Sequence, residues 1–314
     1  MEFEQKRKVI LDMDPGIDDA LALLLALCSS ELKVLAITTV AGNAPIEMTS
    51  INALRVLEYL GVKDVPVARG ADRPLRHPLV HALHFHGSDG LADCNLPPPR
   101  LKLHEASAVE LLADTILNSV GEITIIAMGP LTNLATALEQ RPELPRAIAS
   151  LIIMGGAYGL TAYGKGNQTP VAEFNVWQDP EAARIVFKSG VDIIAVGLDV
   201  TADPRACMGH WHLKQLWAGQ TPAARLAAKL VEYCLMRYGG CELHDPLALT
   251  ALLDVSLFQL VSAPVVVVTE DGSERGRTQI LSPEEAEGRP WMRVAVGIDG
   301  PRFLQLFVSR LLEV

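Results

Sequence analysis

The sequence predicts an α/β protein, with an open, doubly wound, mostly parallel sheet flanked by helices. Three observations predict it. Short β-branched runs alternate with helical patterns along most of the 314 residues. The strand candidates are apolar throughout rather than at alternate positions, as strands buried on both faces are. Four carboxylates also crowd the carboxyl end of the first strand candidate, where open parallel sheets place their ligands.

Taken in order, Lys8–Asp12 reads as the first strand and Asp18–Cys28 as the helix that follows it. Val34–Thr39 is the second strand, and Ile46–Leu60 carries Ile51, Leu54, Val56, Leu57 and Leu60 at helical spacing. Ile123–Met128, Leu151–Met154 and Ile193–Val196 continue the sheet. Leu131–Leu138 and Pro180–Lys188 supply helices, the latter with Asp179 as N-cap and Pro180 at the first helical position. Val265–Thr269 and Met292–Val296 read as late strands, a hairpin added to the sheet, and Arg302–Leu312 as a closing helix. Two stretches break the rhythm: Gly70–Arg100, rich in Pro, His and Gly, and the Gly-rich Gly155–Thr169. Loops this long in a compact domain usually serve function. No repeat, linker or composition shift divides the chain, so residues 1–314 read as a single domain.

Composition narrows the function. At 49% apolar and 20% charged residues the chain can bury a substantial core, which excludes disorder. A net charge of −10 with no dense Lys/Arg run argues against nucleic acid as a partner, because phosphates must be neutralised by cations. The five cysteines (Cys28, Cys94, Cys207, Cys234, Cys241) are scattered without a paired motif, which favours a reducing compartment. Met1–Lys8 is charged and leads into the short apolar step Val9–Leu11, unlike a signal peptide. The longest apolar run, Ala20–Cys28, falls short of the roughly 20 residues that cross a bilayer. These readings predict a cytoplasmic protein with neither a nucleic-acid nor a membrane partner.

The acidic cluster is the most informative stretch. Asp12, Asp14, Asp18 and Asp19 lie within eight residues, and Pro15-Gly16 turns the chain between the two pairs. Asp12 and Asp14, two apart on a strand, share a face, while Asp18 and Asp19 stand where a helix begins. Helix capping explains one of the latter pair, not all four. Carboxylates a few ångström apart repel by several kcal/mol at an effective dielectric of about 20. Either one is protonated or a cation lies among them. Carboxylate oxygens without Cys or His favour Ca²⁺ or Mg²⁺ over zinc. The spacing is not that of an EF-hand. It faintly resembles the start of haloacid-dehalogenase-type phosphatases, in which Asp12 would be the nucleophile with Mg²⁺, but Pro15 and the following Asp pair depart from that pattern.

Asp12, Asp14, Pro15, Gly16, Asp18, Asp19 and Ala20 together resemble the N-terminal signature of the inosine–uridine preferring nucleoside hydrolases. Further segments are similar in the same order: Thr38–Asn43, Gly129–Asn133, Met154–Gly156, Asn167, Val171–Asn175, Asp179–Ala183 and His244–Pro246. The resemblance implies a Rossmann-like open α/β fold and hydrolysis of the N-glycosidic bond of ribonucleosides to free base and ribose. It implies a homodimer or homotetramer and a tightly held Ca²⁺, with Asp14, Asp19, Asp245 and the Met128 carbonyl as ligands. Asp14 would also be the general base. Asp18 would grip the 2′-hydroxyl, and Asn43, Met154, Asn167, Glu173 and Asn175 would line the ribose site. His244 would protonate the departing base, with His86 and Tyr238 as base contacts. The chemistry suits the residues: cleavage passes through a cation-like sugar, which needs an activated water, a held 2′-hydroxyl and an acid for the leaving group.

Two rival readings follow from the same residues. One is the Mg²⁺-dependent phosphatase. The other is a nucleoside- or ribose-binding protein without turnover, against which Asp14 and His244 speak. His81, His84 and His86 have a conceivable zinc spacing, but no further ligand cluster completes it. Trp177 reads as a core aromatic or one bordering the base pocket.

Overall fold

The computed structural model describes residues 6–286 and 288–313, so Met1–Gln5 of the N-terminal reading lie outside the described residues. The described residues form a nine-stranded sheet: β1 (Arg7–Met13), β2 (Leu32–Thr39), β3 (Val67–Arg69), β4 (Ile123–Ala127), β5 (Ser150–Met154), β6 (Ile193–Val196), β7 (Phe258–Val267), β8 (Thr278–Ile280) and β9 (Trp291–Ile298). Their order in space is β3-β2-β1-β4-β5-β6-β9-β7-β8. Pairing is parallel from β3 through to β9, and β7 joins β9 and β8 in antiparallel fashion. The two late strands do pair with each other in antiparallel fashion, but β9 also continues the parallel sheet beside β6. The antiparallel addition is therefore β7 and β8, with β8 lying between β7 and β9 in the chain. β7 is longer than its apolar run, and β3 is only three residues long, too short to register as a pattern.

The strands are uniformly apolar because both faces are covered. Val9, Leu11 and Met13 of β1 pack with Ile126, Ile152 and Met154 into one core, while Ile10, Ile125, Ala127, Leu151 and Ile153 pack into the other. The first core is closed by helices Ile17–Leu27, Pro222–Tyr238, His244–Leu253 and Gly300–Leu312. Helices Ala108–Leu117, Thr132–Gln140 and Pro180–Phe187 close the second. Helix Pro180–Phe187 starts as the sequence predicts, with the Asp179 carboxylate accepting the Ala182 N–H at 3.0 Å. Helix Ile17–Leu27 is buried on nearly every side, the pattern of a helix in the middle of a core rather than on its surface.

The chain winds outward from β1 to β2 and β3, then returns to lay β4 on the other side of β1. That reversal opens a crevice at the carboxyl ends of β1 and β4, where sheets of this kind bind ligands. No helix among the described residues is long and apolar enough to cross a membrane.

Candidate active site

The crevice is lined by carboxylates. Asp14 follows β1 directly and is fully buried. Its Oδ2 accepts the Asn43 N–H at 2.7 Å, while its Oδ1 has no hydrogen-bond partner among the described residues. The carboxylate fits there because two neighbours lack side chains. A Cβ on Gly42 would lie 2.1 Å from Asp14 Oδ2, and one on Gly129 2.7 Å from Oδ1. Asp19 reaches back from the first turn of helix Ile17–Leu27. Its Oδ1 accepts the Asp14 N–H at 3.1 Å, and its Oδ2 accepts the Gly16 N–H at 3.0 Å and Asn43 Nδ2 at 3.1 Å. Asn43 therefore locks the two aspartates together and donates again to the Asp14 carbonyl at 3.3 Å.

Asp245 arrives from a distant part of the chain, in the first turn of helix His244–Leu253. One oxygen each from Asp18, Asp19 and Asp245 lie within 4.8 Å of one another. Two helix N-termini thus converge on the acids, and their dipoles favour negative charge there. That help is incomplete. Burial, then Asp19 and Asp18, raise the Asp14 pKa well above the carboxylate range. Burial and then Asp18 push Asp19 up to about 7. Burial, followed by Asp18, Asp19 and Asp14, raises Asp245 well above its ordinary value. Such a set cannot be fully ionised unless a cation joins it. Buried oxygens without partners (Asp14 Oδ1 and Asp18 Oδ1) and a donor set made only of hard oxygens fit a divalent ion of the Ca²⁺ or Mg²⁺ kind. The Met128 carbonyl, just past β4, accepts Asn175 Nδ2 at 2.8 Å and keeps a second lone pair.

Asp12 stands apart from this group. Its Oδ1 accepts Thr38 Oγ1 at 2.6 Å and Asn133 Nδ2 at 2.8 Å, and burial raises its pKa to about 6. These bonds tie Asp12 to Thr38 of β2 and to Asn133 of helix Thr132–Gln140, and it is not among the clustered acids, which does not favour the nucleophile that the phosphatase reading requires.

The residues expected around ribose are brought together, several of them with their polar atoms engaged in building the site. Asn175 Nδ2 bridges the ends of β4 and β5, reaching the Met128 and Met154 carbonyls and, at 3.4 Å, Met154 Sδ. Glu173 is the N-cap of the short helix Phe174–Gln178. Its Oε1 accepts the Asn175 N–H at 2.7 Å, and its Oε2 accepts those of Gly156 at 3.0 Å and Val176 at 3.1 Å. Asn167 is exposed, and its Oδ1 accepts the Phe174 N–H at 2.9 Å.

On the opposite side, His86 Nδ1 accepts the Ile17 N–H at 3.0 Å, which fixes the proton of the neutral ring on Nε2. Burial holds its pKa below the usual histidine range against the pull of Asp18. His244 is held at both nitrogens: Nδ1 lies 2.8 Å from Thr201 Oγ1, and Nε2 lies 3.2 Å from Glu242 Oε2. Burial opposes its charge, but Glu242, Asp18 and Glu173 outweigh that and raise its pKa. Tyr238 is 46% exposed, and its hydroxyl bonds the backbone carbonyls of His84 and Phe85, both at 3.1 Å. Trp177 lies under the Arg275 guanidinium, 4.2 Å from its ring centroid. His81, His84 and His86 form no metal-ligating group among the described residues.

Three residues of the site carry no signal in the sequence. Thr201 and Glu242 hold His244, and the buried Asp199 gathers the N–H groups of Tyr158, Leu160 and Thr161 to shape the Gly155–Thr169 loop. Thr201 lies 43 residues from its partner, and no local spacing reports a contact of that kind.

Comparison with known proteins agrees with the geometry. Residues 9–305 match the family described as inosine-uridine preferring nucleoside hydrolase. The chain is 41% identical over 310 residues to the pyrimidine-specific ribonucleoside hydrolase RihA of Citrobacter koseri, covering 96% of this chain and 97% of that one. Its structure is similar to that of the plant nucleoside hydrolase PpNRh1, with a TM-score of 0.91 and 35% identity over 98% of this chain and 99% of that one. It is also similar to the purine-preferring ribonucleoside hydrolase from Gardnerella vaginalis, with a TM-score of 0.90 and 32% identity over 97% of this chain and 98% of that one. On site and sequence alike, the chain belongs to the inosine-uridine preferring nucleoside hydrolase family, enzymes that cleave ribonucleosides to free base and ribose.

Proposed function

We propose that this chain is a single-domain, cytoplasmic, Ca²⁺-dependent hydrolase of pyrimidine ribonucleosides that works as a homodimer or homotetramer. The observation that supports the metal assignment is the acid cluster: oxygens of Asp18, Asp19 and Asp245 meet within 4.8 Å of one another, and Asp14, bonded to Asp19 through its N–H, has a buried Oδ1 without a partner among the described residues. Asp14, Asp19, Asp245 and the Met128 carbonyl would hold the ion. When bound, Ca²⁺ supplies a water of lowered pKa and an anchor for the sugar hydroxyls. Asp14 accepts the proton of the attacking water. Asp18 accepts the 2′-hydroxyl of ribose, a bond that strengthens as positive charge develops on the ring. Asn43 and Glu173 hold the neighbouring acids and loop in register, with Asn167, Asn175 and Met154 forming the remaining wall. His244 gives its proton to the departing base, and His86 Nε2 offers a second donor. The dense polar contact rejects deoxyribose, which would leave a buried partner unpaired.

The pyrimidine preference is supported by the relatives that match at 41% across nearly the whole chain. Free ribose release from uridine, cytidine, inosine and adenosine tests it. The two pyrimidine nucleosides should exceed the purines in kcat/KM, and the reverse order would overturn the preference while leaving the reaction standing. Asp14→Asn should lower turnover by about 10²–10⁴-fold with the fold intact. Near-normal turnover would remove Asp14 as the base.

A further inference from the structure

The geometry points to Thr201 as the positioning residue for His244, the fixed anchor that aims the imidazole Nε2 at the departing base. The inference rests on the reading of His244 as the acid for the leaving group. An imidazole has two nitrogens, and whichever one is tied down decides where the other points. In this site both are engaged, but by unequal partners. Thr201 is 2% exposed and makes its hydroxyl contact with Nδ1 alone among the described residues. Glu242 meets Nε2 at 3.2 Å with a side chain that is 55% exposed.

The element that carries Thr201 is braced. Helix Leu198–Thr201 is buried along its length. Within it the Asp199 carboxylate accepts three backbone N–H groups, two of them at 2.7 Å, and the Asp199 carbonyl accepts Thr161 Oγ1 at 2.8 Å. Gly164 fits against it, since a Cβ there would lie 2.2 Å from Asp199 Oδ1. A hydroxyl placed on so rigid a turn defines a direction, which is what a proton donor in an active site needs. The chemistry of the side chain suits the task as well. The hydroxyl oxygen accepts from Nδ1–H of the imidazolium and of the neutral ring left when Nε2 parts with its proton, so it keeps its hold on Nδ1 before and after the transfer. Glu242, by contrast, occupies Nε2 only until a base arrives to take its place.

The test compares Thr201→Val, Thr201→Ser and His244→Ala on uridine and on 4-nitrophenyl riboside, whose leaving group departs without a proton. General-acid help is worth roughly 10²–10⁴-fold, and a misaimed ring should forfeit about tenfold or more of kcat on uridine. Thr201→Val should therefore lose kcat on uridine, keep KM, and stay close to the parent on the nitrophenyl substrate, with Thr201→Ser restoring most of the loss. Parent-like turnover of uridine by Thr201→Val would overturn the proposal. So would an equal loss on both substrates with a raised KM, the mark of a merely structural role. His244→Ala separates the two levels of the argument: an equal loss on both substrates there would refute the acid role itself, whatever Thr201 does.

Discussion

Two groups of buried acids in this molecule have the same side-chain chemistry and opposite accounts. Asp179 and Asp199 are saturated. Asp179 accepts the Leu75 and Ala182 N–H groups and the Thr132 hydroxyl, and Asp199 accepts three backbone N–H groups. Each stitches a long loop to the sheet. Asp14 and Asp18 are unsaturated, each with a buried oxygen that has no partner among the described residues, and Asp245 meets Asp18 and Asp19 in the same cluster. Burial and then Asp19 and Asp18 raise Asp14 well above the carboxylate range, and burial and then Asp18, Asp19 and Asp14 raise Asp245. Acids whose oxygens are consumed by backbone build the scaffold, and acids with an oxygen left over beside other acids are available to a ligand; Asp19 does both, accepting the Asp14, Gly16 and Asn43 donors while meeting Asp18 and Asp245 in the cluster. Glu173 stands between them, a member of the ribose region whose carboxylate is already spent on three backbone groups.

The strongest way to break this comparison is to remove the ion the unsaturated group is held to need. Chelation should abolish turnover, and calcium at about 1,000 times its Kd should restore roughly 4 kcal/mol of stability. The pH dependence has a definite sign. Metal-free Asp19 titrates at about 7 when folded against an ordinary 3.8, and Asp12 at about 6. Between those values the folded state holds the extra protons, so these groups favour folding increasingly as pH falls from about 7 towards 4. Protons and cation compete for the same oxygens. The gap in Tm between calcium-loaded and stripped protein should therefore be widest near pH 7 and narrow by pH 5. A gap that is constant across this range, or no gap at all, would mean the acids are settled without a cation.

A saturated acid should behave in the opposite way. Asp179→Ala removes an N-cap and leaves the Leu75 N–H and Thr132 hydroxyl without their acceptor, a cost of about 2–4 kcal/mol in unfolding free energy. Denaturant titration measures it. Turnover per folded molecule should stay within roughly threefold of the parent, since Asp179 reaches none of the clustered carboxylates. A large fall in kcat at unchanged stability would erase the distinction between the two groups.

What was legible in the sequence follows the same division. The strands announced themselves because both faces are buried, and Asp12–Asp19 did because the four acids are neighbours in the chain. Asp245 came into view only through its resemblance to a family motif, since its meeting with Asp19 spans most of the molecule. Thr201 and Asp199 were invisible. Thr201 meets His244 through the way β6 and helix His244–Leu253 pack, and Asp199 meets the Gly155–Thr169 loop; a threonine or aspartate that hydrogen-bonds across such a distance leaves no periodic trace. Glu173 and Asn167 were legible as residues of the site but not in their local roles, because a carboxylate that caps a five-residue helix looks the same in sequence as one that awaits a sugar.

Tyr238 offers the finest test of that last ambiguity. By its place before His244 it belongs among base contacts, yet its hydroxyl shares one proton between the His84 and Phe85 carbonyls, and its ring lies 5.8 Å from that of Phe85. It therefore fastens helix Leu83–His86, and with it His86, to the end of helix Pro222–Tyr238. Tyr238→Phe keeps the ring and removes the hydrogen bond, worth about 0.5–1.5 kcal/mol. If the hydroxyl is a latch, KM should rise by between about twofold and tenfold, and by the same factor for uridine and inosine, because a loosened loop is indifferent to which base it covers. If the hydroxyl reads the base, the ratio of kcat/KM between the two substrates must change, because only one of them can lose a contact the other never made. Equal factors would place Tyr238 with the acids that build, and unequal factors with those that bind.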